Sequence, residues 1–228
     1  MPNTIQMHPL GRLGNQMFEY AFLKWYCEDN GYELQLPKCM LHELFDIPDV
    51  EPSTHMELVC EGQFEFGMKN IMVKDYCQKT RFVERLTRPF CRSIFKFKPS
   101  ILSKPTGKFQ LVGHLRARDF KRHKNIFTIV TWDSYKKAML EYGYLPDTAF
   151  WVSDSGTSVI DDFMTLCRAE VLFRANSSFS LWSHILSSND NQKCYSPILK
   201  DVGHQDCEFA DNGAEPIIFG QNNMEFAR

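Results

Sequence analysis

Four short stretches combine residue types that could do chemistry. Residues 11–21 read Gly-Arg-Leu-Gly-Asn-Gln-Met-Phe-Glu-Tyr-Ala. Two glycines three apart at a strand-to-helix junction allow a sharp turn and a close approach to a ligand. Asn15 then falls near the N-cap of the following helix, where unpaired N–H groups and the helix dipole favour an anion. Residues 112–120 read Val-Gly-His-Leu-Arg-Ala-Arg-Asp-Phe. His114 and Arg116 alternate on one side of a strand end, and an arginine there offers a fixed fork for bidentate phosphate binding. Residues 151–155, Trp-Val-Ser-Asp-Ser, end a strand on the Asp154 carboxylate. Residues 174–180, Arg-Ala-Asn-Ser-Ser-Phe-Ser, join a strand to a helix. Asn176, Ser177 and Ser178 would present hydroxyls and N–H groups to an anion. Each stretch also has a purely structural reading: a capped βα turn, an Arg116–Asp119 surface pair, a carboxylate capping the helix from Ser158, and an ordinary N-cap.

The elements that must position these residues follow from hydrophobic periodicity and its punctuation. Strand is expected at Thr4–Met7 and Tyr32–Leu36, around a helix over Gln16–Asn30 that Gly31 ends at C′. Pro37 to about Met72 reads as irregular, and Arg81–Phe95 as a helix ending near Lys98-Pro99. Polar Ser103–Lys108, with Pro and Gly, is the best linker. Beyond it come a strand Phe109–Leu115, a helix Asp133–Tyr142 closed by Gly143, and a strand Ala149–Ser153. Next are a helix Ser158–Ala169 whose Ser158-x-x-Asp161 start is similar to a capping box, a strand Glu170–Phe173 and a helix Ser177–Ser187. Pro216–Phe219 reads as an edge strand. Such alternation predicts parallel sheets in two small α/β halves, residues 1–105 and 106–228. Ligands of parallel sheets sit beyond the carboxyl ends of strands, where all four stretches fall.

Composition narrows the function. A net charge of −2 over 228 residues argues against a nucleic-acid partner bound by bulk electrostatics. No apolar run is long enough to span a membrane. The N-terminus lacks a basic segment followed by an apolar one, so no secretory signal and a cytoplasmic location are expected. The eight cysteines contain no Cys-x-x-Cys and are expected to be thiols, and no spacing suggests a metal site. The absence of Gly-x-Gly-x-x-Gly disfavours a dehydrogenase.

Taken together, the motifs resemble the alpha-1,2-fucosyltransferase family, glycosyltransferase family 11. That family's signatures are similar to G-R-L-G-N-Q-[ML]-F-x-Y-A, H-x-R-R-G-D-Y, a strand ending S-D, and N-S-S-F-S-W-W, in this order. Gly11–Ala21 is nearly a full match; His114, Arg116, Asp119, Ser153, Asp154, Asn176–Ser180 and Trp182 also match. Asp75–Gln78 with Phe95–Pro99 resembles a further family stretch, and Lys193–Pro197 its K-x-x-x-P ending. The resemblance spans roughly residues 4–197. It implies a GT-B-like α/β fold of two Rossmann-like halves facing across a cleft. The N-terminal half would be the acceptor side and the C-terminal half would bind GDP-fucose.

Carried over by position, Arg116 would be catalytic, holding the β-phosphate and stabilising the departing GDP. His114 and Asp119 would belong to its loop, Asp154 would lie in the crevice, and Asp162 would lie near guanine. Asn176, Ser177, Ser178 and Phe179 would contact phosphate, ribose or base, and Arg12, Gly14 and Asn15 would close over the donor. The resemblance implies inverting transfer of L-fucose to a glycan hydroxyl, with O2 of a terminal galactose as the leading acceptor. Positioned arginine and N–H donors can stabilise the leaving diphosphate without a metal. The lack of Asp-x-Asp agrees with that, and neither metal nor cofactor is expected. Asp75 and Glu19 are the available carboxylates for a base, and neither is singled out. The family's second Arg is Ala117 here and its Gly is Arg118; Leu181 replaces the first Trp and Val171 a preceding His. The chain is short over residues 37–75 and after 200, where acceptor-binding surface would lie. Two alternatives remain: transfer from another GDP-sugar, and a non-catalytic relative that binds a nucleotide sugar or glycan.

Overall fold

The computed structural model describes residues 3–50, 52, 56–104, 107, 109–116, 128–153, 158–199, 215–219 and 224–226. The chain divides into two compact units, with the main boundary between Lys104 and Pro105.

The first unit opens with β1 (Thr4–Met7), α1 (Leu13–Asn30) and β2 (Glu33–Gln35), followed by a short α2 (Leu41–Leu44). Then come β3 (Glu57–Cys60), β4 (Ile71–Lys74), α3 (Thr80–Val83), α4 (Arg88–Ile94) and α5 (Pro99–Leu102). Its four strands lie parallel in the order β2-β1-β4-β3. Most of α1 is buried, and Gly31 ends it in the left-handed conformation at φ 65°, as a C-terminal glycine does without steric cost. Strand β3 and the start of β4 fall inside the stretch expected to be irregular. Parallel neighbours usually need a helical crossover, yet residues 61–70 between them contain none. Aromatic packing replaces it. Phe64 is wholly buried, with ring centroids 5.5 Å from Phe22 and 5.2 Å from Tyr26. The Tyr26 hydroxyl donates to Met68 O at 2.7 Å and accepts from Gly67 N at 2.9 Å. The connection is thereby stitched to α1.

The single helix expected over Arg81–Phe95 is two helices. Pro89 lacks an N–H and cannot sit in a helix interior without cost, but is tolerated in the first turn. The Thr87 side chain caps that new start by accepting from Phe90 N at 3.3 Å.

The second unit contains β5 (Leu111–Leu115), β6 (Thr128–Val130), α6 (Trp132–Glu141), β7 (Phe150–Ser153) and α7 (Val159–Arg168). These are followed by β8 (Val171–Phe173), α8 (Ser178–Ile185), β9 (Lys193–Leu199), β10 (Glu215–Phe219) and β11 (Met224–Phe226). Five parallel strands run β10-β9-β8-β5-β7, and β11 pairs antiparallel with β6. Strands β6, β9 and β11 were not expected from sequence. Pro197 makes β9 a poor strand candidate, since proline cannot donate to a ladder. It is accommodated because β8 pairs only with residues 193–195, leaving Pro197 beyond that flank.

Helices cover both faces. Tyr135, Ala138 and Met139 of α6 pack with Leu111, Phe173 and Tyr195 on one face, and Leu166 near the end of α7 packs with Val112, Val152 and Leu172 on the other. Trp151, Gly113, Phe173 and Tyr195 form one cross-strand row. A Cβ on Gly113 would lie 2.4 Å from the Trp151 ring. Glycine is required there because the indole leans across it and stacks on Trp132 at 4.1 Å.

Candidate functional site

Strand order fixes where each sheet can take a ligand. In the second unit β5 is followed by β7 on one side, and the chain then crosses to β8 on the other. The reversal lies between β5 and β8, and open α/β sheets bind ligands outside the carboxyl ends at such a point. Arg116 follows β5 directly, and residues 174–177 lead from β8 into α8. The two exits are joined: Arg116 Nη1 donates to Ser177 Oγ. Ser177 is the N-cap of α8, its buried hydroxyl also accepting from Phe179 N at 3.3 Å. Ser180 donates to Ala175 O at 3.2 Å, pinning the loop from behind. His114 lies on the same face two residues before Arg116, buried, its ring 5.9 Å from Phe179. Phe179 rests in turn on Phe163 of α7 at 5.2 Å. An arginine, two serines, a phenylalanine and a helix N-terminus thus converge at the reversal point. That set suits an anion carried by a planar group: charged and N–H donors for phosphate, and a ring for stacking.

Asn176 and Ser178 flank Ser177, both buried. Asp162 sits half-buried in the first turn of α7, next to Asp161. Acidic residues there also complement the helix dipole. The expected capping box at this helix is not formed: Ser158 is the N-cap, but its side chain makes no capping hydrogen bond. Asp119, Asp154, Ala117 and Arg118 lie outside the described residues. Arg174 was given no role from sequence. It is a wholly buried arginine at the exit of β8, with Nη1 donating to Ala175 O at 3.3 Å. Its neighbourhood raises the Tyr135 phenol pKa through burial, an effect the guanidinium partly offsets. The signal in the sequence was a charged residue directly after the apolar run Val171–Phe173.

The first unit reverses between β1 and β4. Here the exits are residues 8–12 and 75–78. Gly11 has φ +64°, and a Cβ on it would lie 2.4 Å from Asn15 Nδ2. Both facts require glycine. Two expectations need correction at this loop. The helix begins at Leu13 with Arg12 as N-cap, so Asn15 lies in the first turn rather than at the cap, and Gly14 is helical rather than a turn residue. The turn is made by Gly11 alone because the Arg12 carbonyl already accepts from the Asn15 and Gln16 N–H groups, at 2.9 and 3.0 Å. Asn15 Oδ1 accepts from Gln78 Nε2 at 3.0 Å, joining the two exits. The Arg12 residue is exposed.

Two carboxyl groups stand behind this loop. Asp75 is buried, its Oδ1 accepting from Cys77 N and its Oδ2 from Gly62 N, both at 2.9 Å. Cys77 is held at φ 53°, a conformation seldom adopted by residues with a side chain. Glu19 is buried on α1, with Oε2 accepting from Leu10 N at 2.9 Å. Burial pushes its carboxyl up to about 9, and the Asp75 charge adds to the rise while the Leu10 N–H opposes it. Glu19 is therefore protonated at neutral pH. Among the described residues no group of three or more His, Cys, Asp or Glu side chains is placed to hold a metal. The seven described cysteines are thiols, and no described helix is long and apolar enough to cross a membrane.

No model of a known protein family matches the chain, and no curated protein matches it either. Solved structures do. Fucosyltransferase NodZ from Bradyrhizobium aligns at 14% identity over 82% of this chain and 94% of its own, with a TM-score of 0.53. POFUT1 in complex with GDP-fucose aligns at 10% identity over 96% of this chain and 98% of its own, with a TM-score of 0.56. The iron-containing dodecameric glycosyltransferase TibC from enterotoxigenic E. coli aligns at 10% identity over 99% of this chain and 64% of its own, with a TM-score of 0.51. At these identities the likeness is one of fold. The chain has the GT-B-like α/β fold of two parallel-sheet units found in these fucosyltransferases.

Proposed function

We propose that the chain is a GDP-fucose-dependent fucosyltransferase of the alpha-1,2 type, similar to glycosyltransferase family 11. The observation that carries this reading is the junction of Arg116 with Ser177 at the β5/β8 reversal point. It is supported by the fold shared with structures described as fucosyltransferases. The second unit holds the nucleotide sugar, and the first serves the acceptor. Arg116 faces the diphosphate and stabilises the charge that develops on the leaving group, a role needing a fixed donor rather than a proton transfer. Ser177, Ser178, Asn176 and the start of α8 complete the phosphate cradle. Phe179 offers a ring to the base, and His114 orients the Arg116 loop through its packing on Phe179. Asp162 is assigned to guanine, and Asp119 and Asp154 to the donor. The roles of Arg12, Gly14 and Asn15 toward the donor rest on the motif resemblance. Transfer is inverting and metal-independent, and the acceptor is O2 of a terminal galactose.

Calorimetric titration with GDP, GDP-fucose and GDP-mannose, in EDTA, tests the donor. Preference for GDP-fucose, followed by transfer to a galactoside, supports the reading. Equal binding of all three points to another GDP-sugar, consistent with Ala117 and Arg118 in place of the family's Arg-Gly. No binding leaves a non-catalytic relative and overturns it.

A further inference from the structure

The glycine-rich loop must be held from behind if it is to present a fixed backbone, and the cluster beneath it shows by what. Leu10 N, immediately before Gly11, donates to Glu19 Oε2 at 2.9 Å. Gln16 Nε2 donates to Gly11 O at 3.2 Å, and Gln16 Oε1 accepts from Met40 N at 3.1 Å. Gln16 thereby couples the same loop to the segment ahead of α2. The other carboxylate of the cluster is already engaged, since both oxygens of Asp75 accept backbone N–H groups. The second oxygen of Glu19, Oε1, is buried without a hydrogen-bond partner among the described residues. Position 19 is the variable one in the family motif, so nothing in the motif itself assigns it a part.

We infer that Glu19 is a positioning residue for the loop Leu10–Asn15, acting through its hydrogen bond to the Leu10 N–H. The role rests on the proposed function only where turnover is concerned. A buried carboxyl with one free oxygen is tolerable when neutral and costly when ionised. The groups that face Glu19 favour the neutral form. Asp75 approaches from the exit of β4 and raises the Glu19 value, while Cys77 behind it and Cys39 ahead of α2 are themselves raised by the Glu19 charge; the Arg81 cation acts on Cys77 and is not among the groups that shift Glu19. Alkaline pH would place a second negative charge beside Asp75 and weaken the support of the loop.

Amide hydrogen exchange at Leu10 and Gly11 at neutral pH reads the loop without any activity. Glu19→Leu removes the acceptor and is expected to speed Leu10 exchange about tenfold, the equivalent of one hydrogen bond. Glu19→Gln keeps an acceptor and is expected to stay within about twofold of the parent. Equal protection in all three proteins overturns the inference. In the transfer assay, Glu19→Leu should lower kcat/KM while Glu19→Gln rescues it. The parent should lose activity as pH rises through about 9, and Glu19→Gln should not. A parent-like pH limb in Glu19→Gln overturns the role. If the parent neither binds GDP-fucose nor transfers fucose, while Leu10 exchange responds as stated, the positioning role stands and the proposed function fails.

Discussion

The two sheet reversals are built alike and charged differently. Each has its strand exits joined by a side-chain hydrogen bond: Gln78 to Asn15 between β4 and β1, Arg116 to Ser177 between β5 and β8. At the second the bond is charged, and a helix N-terminus and an aromatic ring stand beside it. At the first it joins two neutral amides, with two buried carboxyl groups behind, one neutral and one spent on backbone N–H groups. A preformed donor set suits a ligand bringing negative charge. At the first reversal the bridge is neutral, and the loop's charge is the exposed Arg12 at the N-cap of α1. The same topology thus offers two chemistries, and the choice is made by a few side chains at strand exits.

The units also differ in how they are held together, which sets the sizes of the effects expected. The first replaces a crossover helix with aromatic packing, so Phe64→Ala should cost about 3–5 kcal/mol of stability in urea denaturation. A cost near zero would show that residues 61–70 do not depend on that ring. Arg116→Ala should lower kcat/KM about 100- to 1000-fold, with the melting temperature nearly unchanged. Turnover close to that of the parent would remove the charge contrast drawn above. Gly113→Ala should destabilise by about 1–3 kcal/mol, because the new methyl meets the Trp151 indole, which is stacked on Trp132 and cannot easily move. Loss of the Trp151–Trp132 stacking signal in near-UV circular dichroism would accompany it, and an unchanged spectrum would count against the packing argument. Asn15→Ala should have the smallest effect, raising KM for the donor by about fivefold, the worth of one neutral hydrogen bond. A fall in stability with KM unchanged would leave Asn15 as the partner of Gln78 alone.

Protonation gives the first unit its own pH dependence. The folded-state pKa of Glu19 is raised from 4.5 to about 9. Its stability contribution is therefore intact below the unfolded value, and declines as pH rises until both states are ionised above the folded one. The melting temperature of Glu19→Gln should accordingly gain on the parent from pH 5 to about 9 and then hold level. Parallel curves would mean that Glu19 ionises like an exposed carboxyl.

Local sequence marked much of this. Thr4–Met7 alternates with a helix that Gly31 must end, and Phe109–Leu115 and Ala149–Ser153 read as strands from their apolar runs. What failed was non-local or atypical. β3 and β4 are short, and their connection is held by rings from α1 rather than by a helix of its own. β9 carries Pro197, and Arg81–Phe95 hid its break because Pro89 and Thr87 sit in an otherwise helical pattern. Arg116, Ser177 and Asn15 could be singled out as candidates because strand ends, caps and glycines leave local marks. Glu19 in its buried, neutral state and Arg174 were not, because burial depends on what packs around a residue.

The sequence by itself determined alternating strands and helices, parallel pairing, a polar boundary near residue 105, and chemistry-bearing residues at strand exits. Those follow from periodicity, capping and turn geometry, which act over a few residues. Tertiary structure alone decided the strand orders β2-β1-β4-β3 and β10-β9-β8-β5-β7. It thereby decided which exits became neighbours. Arg116 and Ser177 are 61 residues apart in the chain, and no local rule relates them. They meet because β5 and β8 pair, and pairing is settled by the burial of whole faces rather than by any one segment.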